Sequence, residues 1–251
     1  MHPPRIQHSL KRHRPHNSKN RRFELENARL EKLKKIKLPD YTKGEEIFNM
    51  VTHIVGGAIG IVATILCVCF AIMHGNSYGV LGGSVFGASM IILFTISSVY
   101  HGLSKNCIAK PIFRVLDHCT IYVLIAGTYT PIALGPLREY SHKLGWTIFA
   151  FIWIMAAIGI LFNAIDLEKF KVLSMICYIF MGWCIVFAWG PTKIALGRGG
   201  TALLLAGGIA YTIGAVLYVL GKKCRYIHSV FHIFVDIGSL LHFLCILLYV
   251  I

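Results

Sequence analysis

In the run HSVFH, His228 and His232 stand four residues apart. On one helix that spacing points both rings the same way, about 6 Å apart along the axis. Two imidazoles so placed are either half of a zinc site or a pair of hydrogen-bonded core residues. His101, with Ser97 one helical turn before it, offers a third imidazole, and Asp117 beside His118 offers a carboxylate. Three histidine ligands leave one position on zinc for water, the arrangement of a catalytic rather than a closed structural metal. A histidine alone on a helix is more often hydrogen-bonded than ligating, so the metal reading depends on whether the fold brings these groups to one depth.

The elements that must do so are membrane helices. The chain has 251 residues, 56% hydrophobic and only 14% charged, whereas soluble domains carry about 25% charged residues. Of the 25 Lys and Arg, 13 fall within residues 1–47. The rest of the chain has too few charges to cover a water-exposed surface, and lipid needs no such cover. Residues 1–47 therefore read as a basic cytoplasmic tail and 48–251 as an all-α membrane domain, placed in the cell membrane as a multi-pass protein. Apolar runs long enough to span fall near 49–73, 78–100, 116–135, 144–164, 172–190, 201–221 and 228–250, which predicts a seven-transmembrane helix bundle. Pro131 is expected to kink or end the third helix and Gly190-Pro191 to end the fifth. Gly79, Gly83 and Gly87 form a row that lets a neighbouring helix approach closely.

Counting Lys and Arg in alternate loops gives 21 on the side of the amino terminus and 4 on the other. The amino terminus is thus predicted inside and the carboxyl terminus outside. With that orientation His101 ends the second span, Asp117 and His118 begin the third, and His228 and His232 begin the seventh, all at the cytoplasmic boundary. Glu45, Asn49 and His53 share one face of the first span at the same depth, either as support for the site or as ordinary interfacial hydrogen-bonding groups. His242 lies about 15 Å beyond His232, too deep for the same ion. Asp236, one turn past His232, is either a proton or hydrogen-bond acceptor or a paired, silent group.

The basic charges do not cluster on a groove or aromatic platform, which argues against nucleic acid and for anionic lipid headgroups at the tail. Residues 20–38 read equally as an amphipathic helix on the inner leaflet or as a solvated segment. The eight cysteines show no CxxC spacing, and those in apolar runs read as small packing residues. No apolar core follows the basic start before Ile47, so a cleaved signal peptide is not expected.

The stretches GEEIFNMVTH (Gly44 to His53), Ser97 to His101, RVLDH (Arg114 to His118), IAGTYTPIAL (Ile125 to Leu134) and HSVFHIFV (His228 to Val235) together resemble the bacterial haemolysin III proteins. These belong with the progestin and adipoQ receptor (PAQR) family. The resemblance covers residues 44–251 and implies seven helices with the amino terminus inside. It also implies kinship with alkaline ceramidases, and a Zn2+ held by His101, His228 and His232, with Asp117 near a water at the metal and Ser97 beside it. Asp236 departs from the apolar residue expected there.

Two functions follow from that resemblance. One is zinc-dependent hydrolysis of a membrane lipid amide or ester, a ceramidase-like activity. Asp117 and Ser97 would be its catalytic residues, and the substrate would enter sideways from the bilayer. The other is a non-enzymatic receptor, regulator of membrane state or cytolytic protein of the haemolysin type, with a structural zinc. No span carries a polar stripe along its length, which argues against a pore. The charge count makes topology testable: a reporter fused after Ile251 should be extracytoplasmic and one inserted at 102–110 cytoplasmic. A cytoplasmic carboxyl-terminal reporter would mean a miscounted span.

Overall fold

The computed structural model describes residues 21–24, 36–221 and 224–251, and every regular element among them is helical. Met1–Lys37 and Leu38–Ile251 form separate units. In the first, residues 21–24 are helical; of the amphipathic helix read over 20–38, residues 20 and 25–35 lie outside the described residues, and 36–38 are not helical. The second unit contains α1 (Lys43–Met73), α2 (Ser77–Gly102), α3 (Lys110–Ile132), α4 (His142–Trp183), α5 (Trp189–Leu220) and α6 (Ile227–Tyr249).

Polarity runs inside-out along α1. Val51, Ile54, Val55, Ile61, Val62 and Ile65 are about half exposed on its outer face, whereas Asn49 and His53 are buried on the inner one. An exposed aliphatic face over a polar seam suits a helix surrounded by hydrocarbon. By length and hydropathy, five helical stretches among the described residues are able to cross a membrane. One of them, His142–Leu220, is 79 residues long. A straight helix of that length would run about 120 Å, four times the roughly 30 Å hydrocarbon thickness.

That stretch is not straight. Asp166 leaves helical geometry at φ −160°, ψ 94°, and its Oδ1 accepts from Lys169 N–H at 3.0 Å, the bond of an N-cap that starts a new helix. Ser174 then donates to Asn163 Oδ1 at 2.5 Å, and Asn163 Nδ2 donates to Tyr178 Oη at 3.0 Å. In a continuous helix Asn163 and Ser174 would be about 16 Å apart. The chain therefore turns back at Asp166, within the stretch that hydropathy reads as a loop. Further on, Cys184–Ala188 tightens to a 3-10 turn and Gly197 adopts φ 66°, a left-handed value that glycine takes at no steric cost.

Two helix ends differ from expectation. The helix end expected at Gly190-Pro191 comes earlier, with α4 ending at Trp183, and Pro191 occupies the first turn of α5, where its missing N–H has no intrahelical partner to lose. Pro131 likewise stays helical, and the distortion appears beyond it as a π-helical turn over Ala133–Leu137, with Gly135 out of helical geometry. That turn contains Pro136, whose ring cannot donate to the Ile132 carbonyl one helical turn before it. Close packing favours the same outcome, since a side chain on Gly82 would sit 2.6 Å from Pro131 Cα.

The glycine row of α2 packs against α1. A β-carbon on Gly83 would lie 2.8 Å from Cys67 Cβ, and one on Gly87 would lie 2.9 Å from Thr64 Cα. Backbone cannot yield as a flexible side-chain tip can. Gly87→Leu should therefore cost at least about 1–3 kcal/mol by overpacking, read as a lower melting temperature of the purified protein. Gly182→Ala, where a β-carbon meets nothing within 4 Å, should leave it unchanged.

Candidate metal centre

The site is assembled where α1 and α6 begin and α2 ends. Thr42 and Glu45 form a capping box: Glu45 N–H donates to Thr42 Oγ1 at 3.2 Å, and Thr42 N–H donates to Glu45 Oε2 at 2.8 Å. The other carboxylate oxygen of Glu45 accepts the Tyr226 N–H at 2.8 Å. Tyr226 is the left-handed residue immediately before α6, so one carboxylate caps α1 and fixes the start of α6. From there the two helices run side by side in the same direction. His53 stacks on His232 with ring centroids 3.8 Å apart, and Gly56 faces Asp236 one turn beyond.

This register brings His101, His228 and His232 together. One ring nitrogen of each lies within 4.8 Å of the others. The Nε2 atoms of His228 and His232 are 3.1 Å apart, close to the roughly 3.3 Å between two imidazole nitrogens on a tetrahedral zinc with bonds of about 2.0–2.1 Å. His101 Nδ1 lies 2.6 Å from Glu46 Oε2. A carboxylate only accepts, so Nδ1 carries the proton and Nε2 keeps its lone pair. That Nε2 is buried with no hydrogen-bond partner, the state of a nitrogen prepared for a cation. Three neutral imidazoles suit zinc, so the residues present fit the ion that the sequence suggests.

Glu46 is the residue that sequence reading missed. Its second oxygen accepts from Lys110 Nζ at 2.8 Å, and Lys110 also donates to Leu103 O at 2.7 Å. Lys110 counts as a loop charge by sequence, yet it is only 2% exposed. The resulting Lys110–Glu46–His101 chain holds the ring from behind in the way that carboxylates orient metal-bound histidines. The adjacent acidic pair Glu45-Glu46 is the available signal: a helix turns about 100° between neighbours, so the two must serve different partners.

Ser97, Asp117, His228 and His232 line one cavity of about 200 Å³. Ser97 is 1% exposed, with its hydroxyl unpartnered. The cavity continues past Leu124, Tyr129, Ile179 and Leu205 as far as Ile132 and His242, so an apolar chamber leads away from the polar end. Its wall includes Gly182 and Gly208, where a β-carbon would meet nothing within 4 Å. The carbonyls of those two glycines accept from Tyr129 Oη at 3.1 Å and Thr212 Oγ1 at 2.8 Å. At the other end Tyr41 stacks on His228, with centroids 4.8 Å apart.

The remaining candidates separate cleanly. His118 uses both nitrogens, donating from Nδ1 to Arg114 O at 2.9 Å and accepting at Nε2 from Tyr218 Oη at 3.2 Å. His53 lines the cavity with both nitrogens unpartnered. Of the face read either as support for the site or as interfacial hydrogen-bonding groups, Glu45 joins two helix starts. Asp236 packs into the space left by Gly56, its Oδ1 without a partner. His242 Nε2 donates to Leu204 O at 3.1 Å, a bond between α6 and α5.

An all-helical bundle with lipid-suited outer faces and a buried three-histidine cluster at one end defines an integral, multi-pass membrane protein. Sequence comparison gives its family: a haemolysin-III-related profile matches residues 41–243, and the chain belongs to the haemolysin III family, within the wider PAQR grouping. Hemolysin-3 of Bacillus cereus is 42% identical over 206 residues, covering 82% of this chain and 92% of that protein. The Hemolysin-3 homolog of Bacillus subtilis (strain 168) is 37% identical, covering 83% and 96%. The monocyte to macrophage differentiation factor of Homo sapiens is 28% identical, covering 64% and 67%.

If Glu46 orients His101 for a metal, Glu46→Ala should weaken zinc binding about 10- to 100-fold, measured by competition with a chromogenic chelator. Unchanged affinity would leave Glu46 a helix-linking role only.

Proposed function

We propose that this protein is a zinc-dependent hydrolase of a membrane lipid amide or ester, built as seven spans with the amino terminus inside. The observation that carries this reading is the cluster of convergent imidazole nitrogens at the polar end of a long apolar chamber. A receptor site for a headgroup alone needs no chamber, and a purely structural metal needs no cavity beside it. The seven spans are the five helical stretches with His142–Leu220 counted as three, a count supported by the turn at Asp166 and the breaks before Thr201.

His101, His228 and His232 would hold the ion, with Glu46 behind His101. Zinc in such a site supplies Lewis acidity to a carbonyl and makes a water a competent nucleophile near neutral pH. The chamber takes the acyl chain, which places the headgroup bond beside the histidines and excludes bulk water. Ser97 donates its free hydroxyl to the carbonyl oxygen as negative charge develops there. Asp117 accepts a proton from the attacking water and returns it to the leaving amine or alcohol. The water oxygen bonds to the carbonyl carbon, the C–N or C–O bond breaks, and the products are a fatty acid and the amine or alcohol.

The test separates ligand from catalyst on purified variants. His101→Ala, His228→Ala and His232→Ala should each lose zinc, from about one ion per chain. Asp117→Asn should keep most of its zinc and lose lipid turnover by about 10²-fold or more. Loss of zinc from Asp117→Asn would make Asp117 a ligand or structural partner, and full activity would remove its role with water. Lipidomics of membranes carrying wild type or His232→Ala identifies the substrate; no difference in any amide or ester lipid would overturn the hydrolase reading.

A further inference from the structure

The far end of the chamber is lined by a polar residue that the hydrolase reading does not use. His242 lines the cavity and is 7% exposed. Its Nε2 is bonded to the Leu204 carbonyl, and a carbonyl only accepts, so Nε2 carries the ring proton. In the neutral ring Nδ1 is therefore a bare acceptor, and it is buried with no hydrogen-bond partner.

Three of the hydroxyls around this part of the chamber are committed as donors to carbonyls. Thr128 donates to Leu124 O, Tyr129 to Gly182 O and Thr212 to Gly208 O, while Tyr211 pairs with Ser239. Tyr211 also sets its ring edge-on to His242, with centroids 5.3 Å apart. The ring is thus held by a hydrogen bond and an aromatic neighbour, so its free acceptor keeps a fixed place. A buried acceptor without a donor is costly, and no wall group among the described residues is hydrogen-bonded to this one.

We propose that His242 is a specificity-determining residue: it accepts a hydrogen bond from a hydroxyl carried on the chain of the bound lipid. Ten residues separate it from His232, which places the acceptor about 15 Å along α6 from the histidine cluster. The occupant is then an acyl lipid whose headgroup bond lies at the cluster and whose hydroxyl lies beyond the middle of its chain. The inference rests on the chamber holding an acyl chain, as proposed above, and adds which chain it prefers.

Oleate and ricinoleate test it, because they differ by one hydroxyl past the middle of the chain. Binding to the purified full-length, zinc-loaded protein is measured by displacement of a fluorescent fatty acid. Without a partner at depth, the hydroxyl loses its water and ricinoleate binds more weakly than oleate. With His242 as partner, ricinoleate should bind about tenfold more tightly, and His242→Phe should abolish that advantage while keeping oleate affinity. Equal or weaker binding of ricinoleate to the wild type overturns the inference but leaves the chamber reading intact. So does an advantage that persists in a folded His242→Phe protein. Binding of neither fatty acid overturns the chamber reading and this inference together. The wild-type comparison decides the sign even if the Phe variant fails to fold.

Discussion

Burying imidazoles at one end of an apolar bundle is the constraint on which the rest of the structure depends. A ring nitrogen away from water needs a donor, an acceptor or a cation. His101 meets half of that need with Glu46, and its other nitrogen is left to face His228 and His232. Glu46 is itself a charge in a low-dielectric setting, and Lys110 balances it. The buried ion pair and the histidine cluster thus form one connected unit, and neither is well placed without the other.

That unit works only if three helices far apart in sequence keep one register. Glu45 does much of this by capping its own helix and also accepting from Tyr226, 181 residues away, at the start of α6. The same offset persists up the seam, through His53 on His232 and Gly56 beside Asp236. On the other seam of α1, against α2, small residues are the means of close approach, with Gly83 against Cys67 and Gly87 against Thr64. Helix α1 thus meets α6 through polar and aromatic groups near the polar end and meets α2 through close backbone packing, the kind of contact that associates helices in lipid.

Much of this is legible in the sequence, for reasons that differ by residue. The HxxxH spacing and the glycine row express helical periodicity, so one helix is enough to predict which groups share a face. The depth of His101 follows from hydropathy and charge bias. Glu46 and Lys110 are not legible: their partners come from other helices, and a charge near an apolar run looks the same whether solvated or paired. The start of α1 at Lys43, ahead of the apolar run from 49, is hidden for a similar reason, because hydropathy ignores the Thr42–Glu45 cap. Pro191 misleads because proline breaks a helix interior but suits a helix start, and only the fold reveals which position it occupies.

Gly182 and Gly208 expose main chain to the chamber, and each exposed carbonyl is already covered by a hydroxyl from Tyr129 or Thr212. A wall of that kind has no rotamers. Its clearance cannot be tuned by a swinging side chain, as it can where leucine or phenylalanine lines a tunnel, but only by sliding whole helices. At those two positions the wall is main chain, so its clearance there is set by the spacing of the helices that carry Gly182 and Gly208.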